Sequence, residues 1–121
     1  MKKKYAIIGN PIEHSLSPTL HNYWFKKYKI DSTYEKKKIE TNDLKDFAEE
    51  MRNNKNFEGA NITVPFKNKI IPFLDDLSPV ANETFSVNTI IKRDEKLIGH
   101  NTDATAYLET LEETNSWPSV K

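Results

Sequence analysis

A lysine and an aspartate of the sequence lie at positions where they could exchange a proton with a bound ligand. Lys67 lies at the predicted start of a helix, where the helix dipole disfavours a cation by about 0.3–1 kcal/mol. Partial burial and the dipole would both lower the pKa of such a lysine towards neutrality, where it can transfer protons. Asp103, at the end of another predicted strand, could position the amine and stabilise its protonated form. The alternative is a solvated lysine and an ordinary first-turn aspartate.

Two serines stand before the first predicted helix. Ser17 precedes Pro18, a pattern typical of an N-cap followed by proline at the first helical position. Ser15 adds a second hydroxyl, and two hydroxyls beside a positive helix end suit a ligand carboxylate. The alternative is that Ser17 only caps the helix and Ser15 bonds within its own loop. The two interpretations are compatible, because a capping serine can still donate its hydroxyl.

Three further polar residues, Asn61, Thr63 and Asn88, interrupt apolar strands. Each alone is typical of a core amide or hydroxyl that has found a hydrogen-bond partner. Together they favour a pocket for a small ligand that carries several hydroxyls. We predict no metal site, because the spacing of the three histidines does not indicate one. The histidines are His14, His21 and His100.

The elements that must position these residues follow from the alternation of apolar and amphipathic segments. Strands are predicted at 5–8, 32–39 and 59–64, and as a hairpin of 86–92 with 96–100. Helices are predicted after residue 17, from 43, over 66–74 with a break at Pro72, over 79–83 and from 102. This order predicts an α/β fold with a mostly parallel sheet covered on both faces. Ligands of such sheets bind beyond the carboxyl ends of the strands, where the polar turns lie.

Two of these helices have an apolar face with helical spacing, and we expect both faces in the core. The first helix contributes Leu20, Tyr23, Trp24 and Tyr28. The second contributes Leu44, Phe47, Ala48 and Met51.

Composition excludes several classes of function. The chain of 121 residues has a net charge of zero, which is not the basic excess of a nucleic-acid-binding protein. It has no cysteine, and therefore no disulfide or thiolate chemistry, and no apolar run approaches the ~20 residues of a membrane span. Its three glycines lie far apart, so no glycine-rich phosphate loop can form. We expect a soluble cytoplasmic protein that binds a small molecule, neither nucleic acid nor membrane.

Four motifs together carry a family resemblance. They are GNPIEHSLSP at 9–18 with His21-Asn22, NITVPFK at 61–67, SVNT at 86–89 and GHNTD at 99–103. In order and spacing they resemble the N-terminal, substrate-binding domain of the shikimate dehydrogenase family, over about residues 5–111. The resemblance implies a three-layer α/β sandwich with a mainly parallel sheet of six strands. It also implies NADPH-dependent reduction of 3-dehydroshikimate to shikimate, in aromatic amino-acid biosynthesis.

The resemblance assigns roles residue by residue. Ser15 and Ser17 match the clamp for the substrate carboxylate. Asn61, Thr63, Asn88 and Asp103 match the contacts to the ring hydroxyls. Lys67 matches the catalytic acid or base at the C3 oxygen, with Asp103 beside it.

The sequence departs from the family pattern in three places. Ala104 and Ala106 replace glycines after the last motif, and Phe85 replaces the usual glycine before Ser86, so we expect altered packing at the pocket rim. Family members also continue into a Rossmann domain that binds NADP. We therefore expect a substrate-binding domain over 1–114, a frayed tail over 115–121, and no cofactor bound by this chain alone.

On this interpretation the chain is the substrate-binding half of a shikimate dehydrogenase and has little or no activity by itself. Its partner would be a cofactor domain or a separate cofactor-binding chain. Two alternatives remain open at this point. One is the corresponding domain of a quinate/shikimate dehydrogenase, and the other is a stand-alone binding module for shikimate-like hydroxy acids.

Overall fold

A six-stranded sheet organises the part of the chain that the computed structural model describes, residues 3–12, 15 and 17–104. Its strands are Lys3–Gly9 (β1), Ser32–Lys38 (β2), Phe57–Ile62 (β3), Asp76–Leu77 (β4), Thr89–Arg93 (β5) and Lys96–His100 (β6). The spatial order is β2-β1-β3-β5-β6-β4. β5 runs antiparallel to its neighbours β3 and β6, and the other pairs are parallel. The predicted α/β class with a mainly parallel six-stranded sheet is confirmed.

The helices cover both faces of this sheet, as the alternation along β1 makes clear. The helices are Ser17–Lys27 (α1), Leu44–Asn53 (α2) and Pro79–Thr84 (α3). Ala6 and Ile8 belong to the main core with the buried face of α2. Ile7, between them, points to the other face, in a smaller cluster against which Phe25 of α1 packs. Period-two alternation on a strand requires this separation.

Helix α2 follows the prediction closely. The four expected apolar residues are its buried ones, and a short 3₁₀ turn, Thr41–Asp43, leads into it. A capping box forms there: the side chain of Asp43 accepts a hydrogen bond from the Glu40 amide at 2.9 Å. Lys37 of the edge strand donates to Glu50 at 2.9 Å. That bond, with a smaller contribution from Lys4, lowers the pKa of Glu50.

The apolar face predicted on α1 is wrong as a core element. Tyr23 and Tyr28 are 57% and 62% exposed, and no residue of α1 is fully buried. The helix turns a different side to the sheet, because Asn22 bonds both backbone groups of Tyr34, at 2.8 and 2.9 Å. The aromatic side chains contact each other instead, with Trp24 stacked on Tyr28 at 5.7 Å.

The helix predicted over 66–74, with a break at Pro72, does not form as an α-helix. Residues 67–70 form turns and only Ile71–Phe73 is helical, as a 3₁₀ segment. The Ile70 amide bonds to Phe66 four residues back, but the Phe73 and Leu74 amides reach back only three. Pro72 has no N–H to continue the α-helical ladder, so the chain tightens there. Lys67 therefore does not lie at the start of a regular helix.

Two of the strand boundaries that differ from the predictions leave residues for the site. β3 ends at Ile62, because Val64 enters a turn and Pro65 cannot donate to a ladder. β5 begins at Thr89, because the Val87 amide bonds to the Lys67 carbonyl at 2.8 Å. β4, two residues long, gave no pattern to detect. The domain boundary at 114, the tail over 115–121 and most of the last predicted helix lie outside the described residues.

One residue of the loop after α3 has an unfavourable backbone conformation. Phe85, the C-cap of α3, has φ 51° and ψ 42°, the left-handed region that favours glycine. Its side chain is 58% exposed, so burial offsets little of that cost.

Over the described residues no helix is long and apolar enough to cross a membrane.

We predict that Phe85→Gly raises the stability of the chain by about 1 kcal/mol, because glycine adopts the left-handed conformation without a steric cost. For a chain of this size that corresponds to roughly 3–6 °C in Tm. Glu83→Gly, two residues earlier within α3, is the matched control and should lower Tm, because glycine weakens a helix interior. A lower Tm for Phe85→Gly in the same calorimetric experiment would contradict the assignment of strain.

Candidate functional site

Backbone hydrogen bonds bring four segments together at one edge of the sheet. β1, β3 and β6 end there, and the antiparallel β5 begins there. The Thr63 amide bonds to the Ile8 carbonyl at 3.0 Å, which holds the 63–67 segment against β1. Asn88 donates its amide to His100 at 3.0 Å and accepts from Ile62 at 2.8 Å, linking β6 to β3. The predicted polar turns are thus neighbours in space.

Lys67 and Asp103 meet at this edge, although they are 36 positions apart in the chain. Nζ of Lys67 lies 3.5 Å from Oδ2 of Asp103. The side chains are 35% and 73% exposed, so the ion pair contributes at most about 1 kcal/mol to stability. Asp103 lies in a helical turn after β6, and the Asn101 side chain accepts a hydrogen bond from the Ala104 amide there at 3.0 Å. The amine and the carboxylate are therefore available to a ligand.

The two serines lie where the chain leads from β1 into α1, Ser15 just before the helix and Ser17 as its first residue. Ser15 Oγ accepts the Ser17 amide at 3.3 Å, and α1 begins at Ser17 itself, so Ser15 rather than Ser17 serves the helix start. Ser15 also lines a cavity of about 260 Å³ together with Thr63 and Ile12. Ser17 instead lies close enough to the Tyr34 hydroxyl to lower the pKa of that phenol, against the larger raising by burial. The two predicted serines thus contact different parts of the site.

Asn61, Thr89, Asn88 and Thr102 form one hydrogen-bonded network. Asn61 Nδ2 donates to Thr89 Oγ1 at 3.2 Å, and Thr89 Oγ1 donates to Asn88 Oδ1 at 3.0 Å. The Asn88 oxygen also accepts the Thr102 amide at 3.0 Å, next to Asp103. No buried side-chain nitrogen or oxygen lacks a partner in the described part of the chain. The network therefore fixes the side chains of Asn61 and Asn88 before any ligand arrives.

Close approach of the 63–67 segment to β1 depends on Gly9. A Cβ at position 9 would overlap the Cγ2 methyl of Thr63 and come within 3.2 Å of Cδ1 of Ile12. Glycine at this position lets Thr63 lie over the end of β1, in the cavity that Ser15 also lines. On the far side of the same segment, Phe85 and Lys67 line a second cavity of about 310 Å³. Phe85 thus lines the same cavity as Lys67.

Tyr34 is a site residue that the sequence analysis missed. Its side chain is 5% exposed, and its hydroxyl donates to Oδ1 of Asn61 at 2.5 Å. Burial raises its pKa to about 12, against a smaller lowering by the Ser17 hydrogen bond. In β2, Ser32 and Tyr34 are buried, Thr33 between them is half-buried and Glu35 is exposed, but the run of charged residues in this edge strand concealed that alternation. The His21 ring stacks on the Tyr34 ring at 4.4 Å.

The described residues form neither a dinucleotide loop nor a metal-binding cluster at this edge. Gly9, Gly59 and Gly99 lie in three different strands, none with positive φ, so the described residues do not form a loop that could hold a dinucleotide pyrophosphate. In the same residues, no group of three histidine, aspartate or glutamate side chains could hold a metal ion. The site thus offers hydroxyls, amides, one amine and one carboxylate to a polar organic ligand.

Comparison with known proteins gives one consistent group of relatives. A sequence model described as the shikimate dehydrogenase substrate binding domain matches residues 7–90. A shikimate dehydrogenase (NADP(+)) of Pelagibacter ubique is 56% identical over 114 residues, 94% of this chain and 43% of that protein. Another, of Staphylococcus epidermidis, is 40% identical and covers 93% of this chain and 41% of that protein. The chain therefore spans roughly two fifths of the length of these curated relatives.

Solved structures agree with the sequence comparison. Shikimate 5-dehydrogenase of Listeria monocytogenes, in complex with shikimate and NAD, has a TM-score of 0.84 and 38% identity over 94% of this chain and 39% of its own. The Thermus thermophilus enzyme in complex with shikimate has a TM-score of 0.81 and 33% identity, over 92% and 42%. A 5-ketofructose reductase of Gluconobacter, at 23% identity and a TM-score of 0.84, shares the fold.

We predict that Gly9→Ala destabilises the chain by about 1–3 kcal/mol, because the new methyl group overlaps Thr63 Cγ2. Thr63→Ser removes that methyl and should restore part of the loss in the double variant. Urea unfolding of the two single variants and the double variant gives the coupling free energy. Additive effects of the two substitutions would show that Gly9 is not required for the approach of Thr63.

We also predict a stability loss at alkaline pH that depends on Tyr34. A folded-state pKa of about 12, above the ordinary 10.0, means that the neutral phenol is favoured by folding. The stabilisation is complete below pH 10 and is lost between pH 10 and 12, on the order of 2–3 kcal/mol. Absorbance titration of tyrosinate should show a step near pH 12 that Tyr34→Phe removes. If the step that Tyr34→Phe removes lay near pH 10 instead, that result would contradict the burial of a neutral phenol.

Proposed function

We propose, from the premise that this chain belongs to the shikimate dehydrogenase substrate binding domain family, that its polar sheet edge binds shikimate and 3-dehydroshikimate. In this proposal the chain is the substrate half of an NADP-dependent shikimate dehydrogenase. The single observation that carries it is the approach of Lys67 to Asp103 at 3.5 Å, beside Asn88 and its partner Thr102. An amine and a carboxylate from separate loops, held at a hydroxyl-rich edge, suit proton transfer at a ring oxygen.

The two ends of the proposed ligand differ in chemistry, and so do the two sides of the site. Ser15 and Ser17, at the start of α1, would donate hydroxyls to the ligand carboxylate, helped by the positive helix end. Asn61, Thr63, Asn88 and Asp103 would bond the ring hydroxyls. Because the amides already have fixed partners, little ordering of the protein is needed when the ligand binds.

Lys67 is the proposed acid or base. During reduction of the ketone its ammonium would donate a proton to the carbonyl oxygen, and the neutral amine would accept one in the reverse reaction. Asp103 would position the amine and stabilise its charged form across the 3.5 Å separation. The hydride comes from the nicotinamide of NADPH when that cofactor is bound. Since the described residues lack a phosphate loop, the cofactor would be held by another domain or chain.

These assignments set the expected context of the protein. With shikimate as product it would serve aromatic amino-acid biosynthesis, in the cytoplasm. Quinate differs from shikimate by a further hydroxyl at C1, close to the proposed Ser15 and Ser17 clamp, and is therefore the informative comparison ligand. Binding of both acids with equal affinity would favour a quinate/shikimate enzyme.

We predict saturable binding of shikimate to the chain, measured by calorimetric or NMR titration. Ser15→Ala should weaken binding by about tenfold, because one hydrogen bond to a charged carboxylate is lost. Methyl shikimate, which lacks that charge, should bind weakly to both proteins. Ser78→Ala is the matched control, because Ser78 caps α3 at 3.2 Å from the Ala81 amide and takes no part in the proposed site. Absence of saturation with the unsubstituted chain would overturn the proposed function.

A further inference from the structure

Tyr34 connects the two sides of the proposed site. It lies on the edge strand β2, opposite Tyr5 of β1, and its hydroxyl reaches past β1 to Asn61 on β3. Ser17, at the start of α1, lies near the same hydroxyl and lowers its pKa. A phenol has one proton, and the bond to Asn61 defines where that proton points.

This orientation sets the polarity of the whole network. Because the Tyr34 proton points to Oδ1 of Asn61, the Asn61 amide must turn Nδ2 towards Thr89, at 3.2 Å. Thr89 then accepts from Asn61, and its only proton is left for Oδ1 of Asn88, at 3.0 Å. Asn88 in turn holds the Thr102 amide, next to Asp103. Each donor direction follows from the one before it.

Tyr34 is itself held rigidly enough to impose that direction. Its backbone N–H and C=O are both bonded by the Asn22 side chain, and the His21 ring stacks on it with an interplanar angle of 11°. Burial keeps the phenol neutral, so it remains a donor. A buried tyrosine whose backbone and ring are both fixed has little freedom to choose another acceptor.

We propose that Tyr34 is a positioning residue for ligand binding: its hydroxyl selects which atom of the Asn61 amide faces Thr89 and thereby which atoms of Asn61 and Asn88 meet the ligand. The proposal rests on the proposed function for the identity of that ligand. Without the hydroxyl the Asn61 amide can rotate by half a turn, because Thr89 can donate to Oδ1 as well as accept from Nδ2. That rotation withdraws the Thr89 proton from Asn88.

The first test needs no ligand. In Tyr34→Phe, we expect the side-chain amide signals of Asn61 to shift or broaden in the ¹⁵N–¹H NMR spectrum, while backbone signals of α2 and α3 stay in place. Tyr5→Phe is the matched control, because Tyr5 packs against Phe25 on the same face and its hydroxyl is not a partner of Asn61. If Tyr34 had a purely structural role, Tyr34→Phe would lower Tm without a specific effect on the side-chain amide signals of Asn61. Unchanged Asn61 signals would overturn the proposal.

The second test measures binding of shikimate. Tyr34→Phe should raise the Kd about tenfold, the effect of one hydrogen bond in a buried network, and Tyr5→Phe should leave it within twofold. Failure of the unsubstituted chain to bind overturns the proposed function. Binding by the unsubstituted chain that Tyr34→Phe leaves unchanged overturns only the positioning role. The two failures are thus distinguishable in one set of titrations.

Discussion

The candidate site depends on Asn88 more than on either charged residue. Its backbone bonds to His100 and to Ile62 join the ends of β6 and β3, and its side chain fixes the Thr102 amide that precedes Asp103. Instead of the regular pairing of a strand residue, Asn88 has contacts with β6, with β3 and with the turn that follows β6. An apolar residue here would keep the two backbone bonds but leave the Thr102 amide without this side-chain acceptor. An uncharged residue that joins two strand ends therefore holds the candidate site together.

Charge has a different place in this architecture. The Lys67–Asp103 pair is solvent-exposed and adds little to stability, whereas the amide and hydroxyl network beneath it is held by short, directed bonds. The groups proposed to exchange protons are thus separate from the groups that hold the loops. A substitution at Lys67 would remove the proposed proton transfer without removing the bonds of the network. Such a separation is what a site on strand-end loops of a rigid sheet allows.

The structure brings Lys67 and Asp103 together as the sequence predicted, whereas two elements around them differ from the prediction. Their proximity could be predicted because the carboxyl ends of neighbouring parallel strands meet at one edge of a sheet. The α1 face was wrong because helical spacing of Leu20 and Tyr23 cannot reveal that Asn22 docks the other side of the helix. The α-helix over 66–74 did not form because an apolar pattern cannot show that the chain makes turns before the expected break at Pro72. Tyr34 was missed because its partner is on a strand two places away, a distance that only the fold defines.

The direction of the network does not depend on the serine side of the candidate site. The Asn22 and His21 contacts that hold Tyr34 do not involve Ser17. The single proton of the Tyr34 hydroxyl goes to Oδ1 of Asn61, and the bonds from Asn61 to Thr89 and from Thr89 to Asn88 follow from it. A change at Ser17 would therefore leave the orientation of both amides in place, because every group that fixes it lies elsewhere in the sheet.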